Sequence, residues 1–395
     1  MTAPGRPKIL DSPDPAPIST NVHSSLRAGR ALVVSLNDHF GYWGAVGLDV
    51  AGMDVSVMGA RGWSSMRLSR RFRSYTSCGF SSLKQGDLSL LDTIDSYCAT
   101  HEIDWIVPAD VFSTLLLARG RGRLKSAGTY PVSEPSLIET LNDKGKFAAL
   151  LRELGLPTPP TRLISSEVDP ILDSLDYPVM VKPTCEEGGH GVLRLDSRTA
   201  LDVMLPRLGH RYGWPMLVQD FIPGIDIDLS VLADHGRIAA WTIQKGHPSR
   251  PDLLEFVEHP RVLEIGAELL RRCKYHGIVH FDMRIDQRTG EPTIIEANPR
   301  FWASMRHSMW MGVNFPALGL ELAEGRDPSA EFHPVRGLCR DPGLSIKHTV
   351  YNLVRGRWGP DGLSQASTAA WQSHLRDPLP ELWRRLHCIA LHRQR

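Results

Sequence analysis

Ile294–Arg300 reads IIEANPR, and its reading decides the fold. Side chains alternate along a strand, so Glu296 and Asn298 leave the same face. Just upstream, GIVHFDMRI at 277–285 puts His280, Asp282 and Arg284 on one face by the same alternation. Asp286–Pro292 joins the two strands, with Thr289–Gly290 suited to the turn of a hairpin. A hairpin brings Asp282 close to Glu296 and Asn298. Two carboxylates and an amide oxygen are hard donors of the kind that hold Mg²⁺ beside substrate phosphates. Either strand alone reads as a strand end with a capping Asn and a surface carboxylate. The pair, with Arg300 following, reads as a metal site.

Three further groups lie upstream. Leu217–Asp226 is LVQDFIPGID, a strand to Phe221 and then a turn at Pro223–Gly224. Gln219 both donates and accepts, as reading an adenine edge requires, and Asp226 can accept from ribose hydroxyls. The strand Tyr177–Lys182 (YPVMVK) ends in a lysine and runs into TCEEGGHG at 184–191. Gly188, Gly189 and Gly191 leave backbone N–H groups free to approach an anion closely. The loop reads as phosphate-binding or as a flexible surface loop; a Walker A motif, GxxxxGK[ST], is absent. Leu141–Leu154 has helical spacing, with Phe147, Leu150, Leu151 and Leu154 on one face, and Gly155 with Pro157, Pro159 and Pro160 ends it. Lys144, early in that helix, opposes the helix dipole, a placement that hints at use.

The remaining sequence frames these groups. Ala31–Leu36 (ALVVSL) reads as a buried strand, Asp54–Met58 as a second, Leu91–Thr100 as a helix and Trp105–Val107 as a strand. Such alternation argues for a parallel α/β layer to about residue 135. The first strand is followed by no GxGxxG, which argues against a dinucleotide site, and Gly41, Gly44 and Gly47 read as glycines of tight turns. Arg261–Tyr275 reads as an amphipathic helix. Residues 1–28 are rich in Pro, Ser and Asp and read as a poorly ordered tail, with no apolar stretch of a secretory signal. Beyond about 333 the chain is richer in Arg, His and Pro, with helix-like pieces such as Glu381–Leu391.

The chain has 395 residues, enough for two or three domains at roughly 100–200 residues each. With 42% apolar and 23% charged residues it can build a sizeable core. Lys plus Arg number 45 against 44 Asp plus Glu, a balance that supports neither a nucleic-acid sleeve nor an anionic-membrane patch. The basic C-terminal residues, Arg384, Arg385, His387, His392, Arg393 and Arg395, read as a solvated helix face rather than a membrane-surface contact. No window approaches the ~18 apolar residues of a spanning helix. Six scattered cysteines without a CxxC pair suit a reducing, cytoplasmic compartment.

In order, these residues resemble the ATP-grasp superfamily. Lys144 on a helix precedes GLPTP at 155–159; Val181-Lys182-Pro183 precedes the glycine loop. The strand from Gln219 to Gly224, Asp282, and Glu296-Ala297-Asn298-Pro299-Arg300 complete the set, over about residues 30–325. The stretch from Asn298 to Gly325 looks most like the carbamoyl-phosphate-synthetase-like and carboxylate–amine ligase branch. The resemblance implies an α/β fold with an α+β lid: the ATP-grasp fold behind a Rossmann-like N-terminal domain. Its expected divisions are a tail at 1–28, the N-terminal domain at 29–136, the lid at 137–218, the C-terminal subdomain at 219–332 and a helical extension at 333–395.

Position by position, the resemblance implies that Lys144 and Lys182 hold ATP phosphates beneath the loop Gly188–Gly191. Gln219 and the backbone around Ile222 meet adenine, and Asp226 the ribose, with Asp228 competing for that role. Asp282, Glu296 and Asn298 bind one or two Mg²⁺, with Mn²⁺ an alternative, and Arg300 lies near the transferred phosphoryl. His280 joins Arg300 and Lys182 as a candidate catalytic position, although some relatives carry Arg there. Lys245, on AAWTIQK, is a further candidate for phosphate.

The implied chemistry is ATP-dependent joining of a carboxylate to an amine through an acyl phosphate, releasing ADP and phosphate. A carboxylate lacks a leaving group until it is phosphorylated, and the glycine loop would keep water from the product of that step. No Cys or Ser nucleophile is required, so Cys185 reads as a small loop residue. The expected partners are a small-molecule carboxylate and amine, with a homodimer allowed. A thiol or a small nitrogen nucleophile in place of the amine, or a catalytically silent nucleotide-binding protein, are the alternatives. The full phosphoryl-transfer set at Asp282, Glu296, Asn298 and Arg300 argues against silence. Trp302, Trp310 and Met311 read either as acceptor-pocket walls or as core.

Overall fold

The computed structural model describes residues 26–62, 64–79, 87–186, 188–247, 250–341 and 368–384. The tail expected at the N-terminus lies outside these residues up to 25, as does the end of the C-terminal helix-like piece beyond 384. Among the described residues no helix is long and apolar enough to cross a membrane.

The first sheet is parallel: β1 Arg30–Ser35, β2 Asp54–Ala60, β3 Ser74–Cys78, β4 Trp105–Pro108 and β5 Gly128–Thr129, in the order β3-β2-β1-β4-β5. Helices α1 Asp38–Val50, α2 Ser89–His101 and α3 Val111–Arg119 connect its strands. Asn37 caps α1, accepting from the N–H groups of His39 and Phe40. The turn reading of Gly41, Gly44 and Gly47 is corrected here, because all three lie inside α1. Their spacing of three puts them along one side of the helix. A Cβ at Gly44 would sit 2.6 Å from the Phe301 ring, and one at Gly47 would sit 2.8 Å from Pro316. Close approach of α1 to the segment after IIEANPR is the physical reason for these two, whereas a Cβ at Gly41 would meet Ser35 at 2.8 Å and Met66 at 2.9 Å. Asn314 uses the close approach to donate from Nδ2 to the Gly47 carbonyl at 2.7 Å.

The single helix expected over 141–154 is two: α4 Pro135–Asn142 and α5 Lys144–Glu153. Asp143 stands between them in an extended conformation and accepts from the N–H groups of Gly145 and Lys146, so an aspartate that prefers a cap restarts the helix. Next comes an antiparallel sheet of β6 Thr161–Ile164, β7 Val179–Pro183, β8 Leu193–Leu195 and β9 Met216–Asp220, ordered β6-β9-β7-β8. Helix α6, Arg198–Tyr212, shares its core through Leu201, Leu205 and Leu208. The division expected at 218/219 falls inside β9, so Gln219 belongs to this small sheet.

The third sheet has six antiparallel strands: β10 Gly224–Asp234, β11 Arg237–His247, β12 Arg250–Val257, β13 Gly277–Asp286, β14 Pro292–Asn298 and β15 Gly337–Arg340. Their order is β14-β13-β10-β11-β12-β15. Strand β15 lies within the helical extension expected from 333, its backbone pairing with β12, Cys339 opposite Leu254. Helix α7, Pro260–Cys273, covers one face with Val262, Ile265 and Leu269 buried against Leu229 and Phe281 in one core. Helices α8 Met305–Trp310 and α9 Phe315–Ala323 bring Trp310 and Phe315 into a core shared with Trp43 and Val46 of α1. Helix α10, Thr368–Arg376, follows, and residues 378–384 are helical again, including the start of the helix-like piece expected from Glu381. Beyond it Arg384 lies 4.0 Å over the Tyr42 ring and pairs with Glu381 at 2.8 Å.

Candidate active site

Register assembles the site. Strand β13 sets His280 opposite Asn298 and Asp282 opposite Glu296. On its other side it sets Asp282 opposite Asp228 and His280 opposite Ser230 of β10. Strand β10 in turn sets Asp228 opposite Gln244 and Ser230 opposite Thr242 of β11. Directly opposed residues share a face. One face therefore carries two transverse polar rows: Glu296, Asp282, Asp228, Gln244, and beside it Asn298, His280, Ser230, Thr242. Phe281 and Met283 project to the other face, into the core beneath α7.

Hydrogen bonds tie the rows together. Asn298 donates from Nδ2 to Asp282 Oδ2 at 3.3 Å and accepts on Oδ1 from Arg300 Nη2 at 2.7 Å. Arg300 also donates to the Phe301 carbonyl at 2.8 Å and lies 4.4 Å over the Phe40 ring. His280 Nε2 is 3.1 Å from Asp282 Oδ1, its Nδ1 is 2.9 Å from Ser230 Oγ, and its ring stacks on Trp302 at 5.2 Å. Trp302, Trp310 and Met311 are all buried core residues. Burial works against the charge of Asp282, yet the hydrogen bond and charge of His280, with Arg300 and Lys144, hold its carboxyl below the usual range. Burial likewise opposes protonation of His280, but the bond to Asp282 and the charges of Asp282 and Asp228 raise it.

Both predicted lysines are buried. Lys144 Nζ lies 3.0 Å from Glu296 Oε1 and donates to the Glu186 carbonyl at 2.6 Å. Its own N–H donates to the Thr184 carbonyl, tying the start of α5 to the glycine loop. Lys182 donates to Gln219 Oε1 at 2.7 Å, and Gln219 passes the chain on from Nε2 to Thr161 Oγ1 at 2.8 Å. A cavity of about 850 Å³ opens against this chain, lined by Thr161, Arg162 and Leu217 and by Gly145, Ala148 and Arg152. Burial pushes the Lys182 ammonium down to about 8, with Lys144 acting the same way and Glu296 and Asp282 opposing. Burial pushes Glu296 up, against the pull of Lys144 and with help from Asp282.

Some predicted residues sit differently. Gln219 was expected to read adenine, but both ends of its amide are engaged with Lys182 and Thr161. Asp226 is exposed and paired with Arg284, whereas Asp228 stands in the interior row. Ile222 lies in the link between β9 and β10. Gly188, Gly189 and Gly191 have φ of 64°, 73° and 74°, the left-handed region that favours glycine. At Gly191 a Cβ would also sit 2.7 Å from Pro183 Cγ. Lys245 pairs with Glu255 at 3.0 Å, and Cys185 is exposed, 3.8 Å from Asp143. The row residues Asp228 and Gln244 were not placed together from sequence, though alternation from Asp226 along β10 points at the first.

The donor set suits Mg²⁺ or Mn²⁺. Asp282 and Glu296 offer carboxylate oxygens from neighbouring strands, and Asn298 Oδ1 keeps a second lone pair beside the one Arg300 uses.

The family described as "ATP-grasp domain" matches residues 141–252, and that described as "ATP-grasp in the biosynthetic pathway with Ter operon" matches 214–340. D-aspartate ligase of Enterococcus faecium is 28% identical over 237 residues, 53% of this chain and 54% of its own length. The carbamoyl phosphate synthase large chain of Pyrococcus furiosus is 24% identical over 62% of this chain and 25% of its own length. The chain thus spans about half the length of the first and a quarter of the second. Among solved structures, L-amino acid ligase from Bacillus licheniformis superposes with a TM-score of 0.57 at 16% identity, covering 78% of this chain and 77% of that one. N5-carboxyaminoimidazole synthetase from Staphylococcus aureus gives 0.61 at 12% identity, covering 86% and 91%. The structural likeness is one of fold; with the family matches and the motif order from Lys144 to Arg300, the chain belongs to the ATP-grasp superfamily, alongside its carboxylate–amine ligases.

Proposed function

We propose that this chain is an ATP-dependent carboxylate–amine ligase that works through an acyl phosphate and releases ADP and phosphate. One observation carries the reading: two buried lysines and Arg300 converge on the end of the polar face that bears Asp282, Glu296 and Asn298. Cations gathered there suit the terminal phosphates of a nucleotide. The similarity to D-aspartate ligase supports the acyl acceptor being an amine.

Lys144 and Lys182 hold the β- and γ-phosphates, and Gln219 keeps the Lys182 ammonium in place. Arg300, fixed by Asn298 and Phe301, faces the charge that develops on the transferred group. Asp282, Glu296 and Asn298 hold Mg²⁺ or Mn²⁺, which when bound screens the phosphate charges. His280 braces Asp282 from the neighbouring row. The loop at Gly188–Gly191 covers the phosphates and keeps water from the acyl phosphate.

A carboxylate oxygen attacks the γ-phosphorus, the bond to the β-phosphate oxygen breaks, and ADP departs. The amine nitrogen then attacks the acyl carbon, the carbon–oxygen bond to phosphate breaks, and phosphate leaves as the nitrogen gives up a proton. The test is an ADP-release screen of carboxylates crossed with amines, alongside calorimetry of Mg·ATP binding. ADP release requiring both partners is the expected result. Folded protein that binds no Mg·ATP overturns the reading.

A further inference from the structure

The polar row Glu296, Asp282, Asp228, Gln244 differs at its two ends. At the β14 end Lys144 reaches Glu296, and Arg300 and Lys182 lie nearby. At the β11 end the row offers acceptor oxygens. Gln244 is 1% exposed, and its Nε2 donates to Asp228 Oδ2 at 3.3 Å and to Ser304 Oγ at 2.5 Å. Its Oε1 is buried and has no hydrogen-bond partner among the described residues. An amide oxygen buried without a donor is a marked loss unless something fills it. Beside it Asp228 contributes a carboxylate, within 4.8 Å of ligand atoms on His280 and Asp282.

We propose that Asp228 and Gln244 Oε1 form the subsite that receives the acceptor substrate's amine as an ammonium group, a reading that rests on the ligase function above. An ammonium supplies three donors and a positive charge, which matches a carboxylate and an unpaired amide oxygen. The placement suits the chemistry. Asp228 is one strand spacing, about 4.8 Å, from Asp282, so a nitrogen held there lies beside the phosphate-bearing end of the row rather than on it. Gln244 is anchored by Ser304, which immediately precedes α8, so the loop after IIEANPR fixes the subsite's geometry. Asp228 and Gln244 thereby act as specificity-determining residues, selecting primary amines that arrive charged; one proton then passes to an oxygen of the acyl phosphate to free the nitrogen's lone pair, and a second leaves to solvent as the amide forms.

Two measurements decide this. The first compares a cationic amine from the screen with hydroxylamine, which is uncharged at pH 8 and so gains nothing from the charge of Asp228, each with the same carboxylate substrate. Asp228→Asn is expected to lower the ratio of kcat/KM for the amine over that for hydroxylamine at least tenfold. An unchanged ratio, whether both rates fall alike or neither falls, overturns the proposal and indicates a metal-holding or structural role. The second needs no substrate. Crystals of the full chain with Mg·ADP are soaked in rubidium, a monovalent ion close to ammonium in size. An anomalous peak between Asp228 and Gln244 Oε1, lost in Asp228→Asn, is the expected result, and its absence in the wild type overturns the proposal. Failure of the ligase reading would show separately, as no hydroxamate from any carboxylate with the wild type.

Discussion

The first strand of the parallel sheet and the β13–β14 hairpin use the same extended backbone to opposite ends. In β1, Ala31 and Val33 enter one core while Leu32 and Val34 enter another, so both faces are buried. In β13, Val279, Phe281 and Met283 enter a core while His280 and Asp282 face the polar rows. A parallel sheet covered by helices on both faces has no face left for chemistry within its strands. An antiparallel sheet covered on one face can line up side chains across neighbouring strands by register alone. The first sheet presents α1 to the loop after IIEANPR, and the third sheet carries the groups proposed to react.

That contrast is open to direct attack. Leu32→Ala removes a fully buried side chain and is expected to lower stability by about 2–5 kcal/mol, read from denaturant midpoints, with Mg·ATP affinity of the folded fraction retained. Loss of ATP binding in protein that remains folded would break the division of labour. Glu296→Gln is expected to do the reverse. The variant keeps an oxygen for Lys144 but removes a metal-holding charge, so turnover should fall at least ~100-fold, about 2.7 kcal/mol. Its melting curve should stay near wild type, and near-normal turnover at saturating Mg²⁺ would remove Glu296 from the site.

Gly44→Ala probes the join between the two regions. Its new methyl group would meet Phe301 at 2.6 Å and should cost about 1–3 kcal/mol, with kcat falling because Phe301 also receives Arg300. A variant as stable and active as wild type would show that α1 has room to move.

The smallest expected effect is a pH profile. Burial lowers the Lys182 ammonium from 10.5 to about 8. Below pH 8 it is charged, as the proposed grip on phosphate requires; as pH rises through 8 the charge is lost, and Mg·ATP affinity should weaken towards about tenfold per pH unit. Stability runs the other way. The penalty for burying the charge is full below pH 8 and fades as pH rises towards 10.5, because the unfolded chain then binds the extra proton. Lys182→Arg keeps its charge and should flatten the affinity profile. Calorimetry at pH 7, 8 and 9 reads both, and a flat wild-type profile would detach Lys182 from phosphate.

The hairpin was legible because alternation, a turn signal and two carboxylates agree on one register. Lys144 and Lys182 were legible by their positions at the ends of elements. The interior of α1 was not, because glycines three residues apart look like turn punctuation until the partner surface, here Phe301 and Pro316, is known. Asp143 was hidden within an otherwise helical spacing, although its capping chemistry is local. Gln219 and Asp228 depended on which neighbour each strand found across the sheet, and β15 on a pairing with β12 some eighty residues earlier in the chain. Long-range pairing leaves no periodic trace in a single strand.

The central claim is that phosphate is transferred to the carboxylate before the amine attacks. Once the screen identifies a productive pair, the carboxylate is supplied with ¹⁸O in both oxygens, and the nucleotide and phosphate are examined by mass spectrometry from one reaction. The account expects ADP, with one ¹⁸O carried into inorganic phosphate for each amide formed. AMP bearing the label, or unlabelled phosphate beside a full yield of amide, would contradict it.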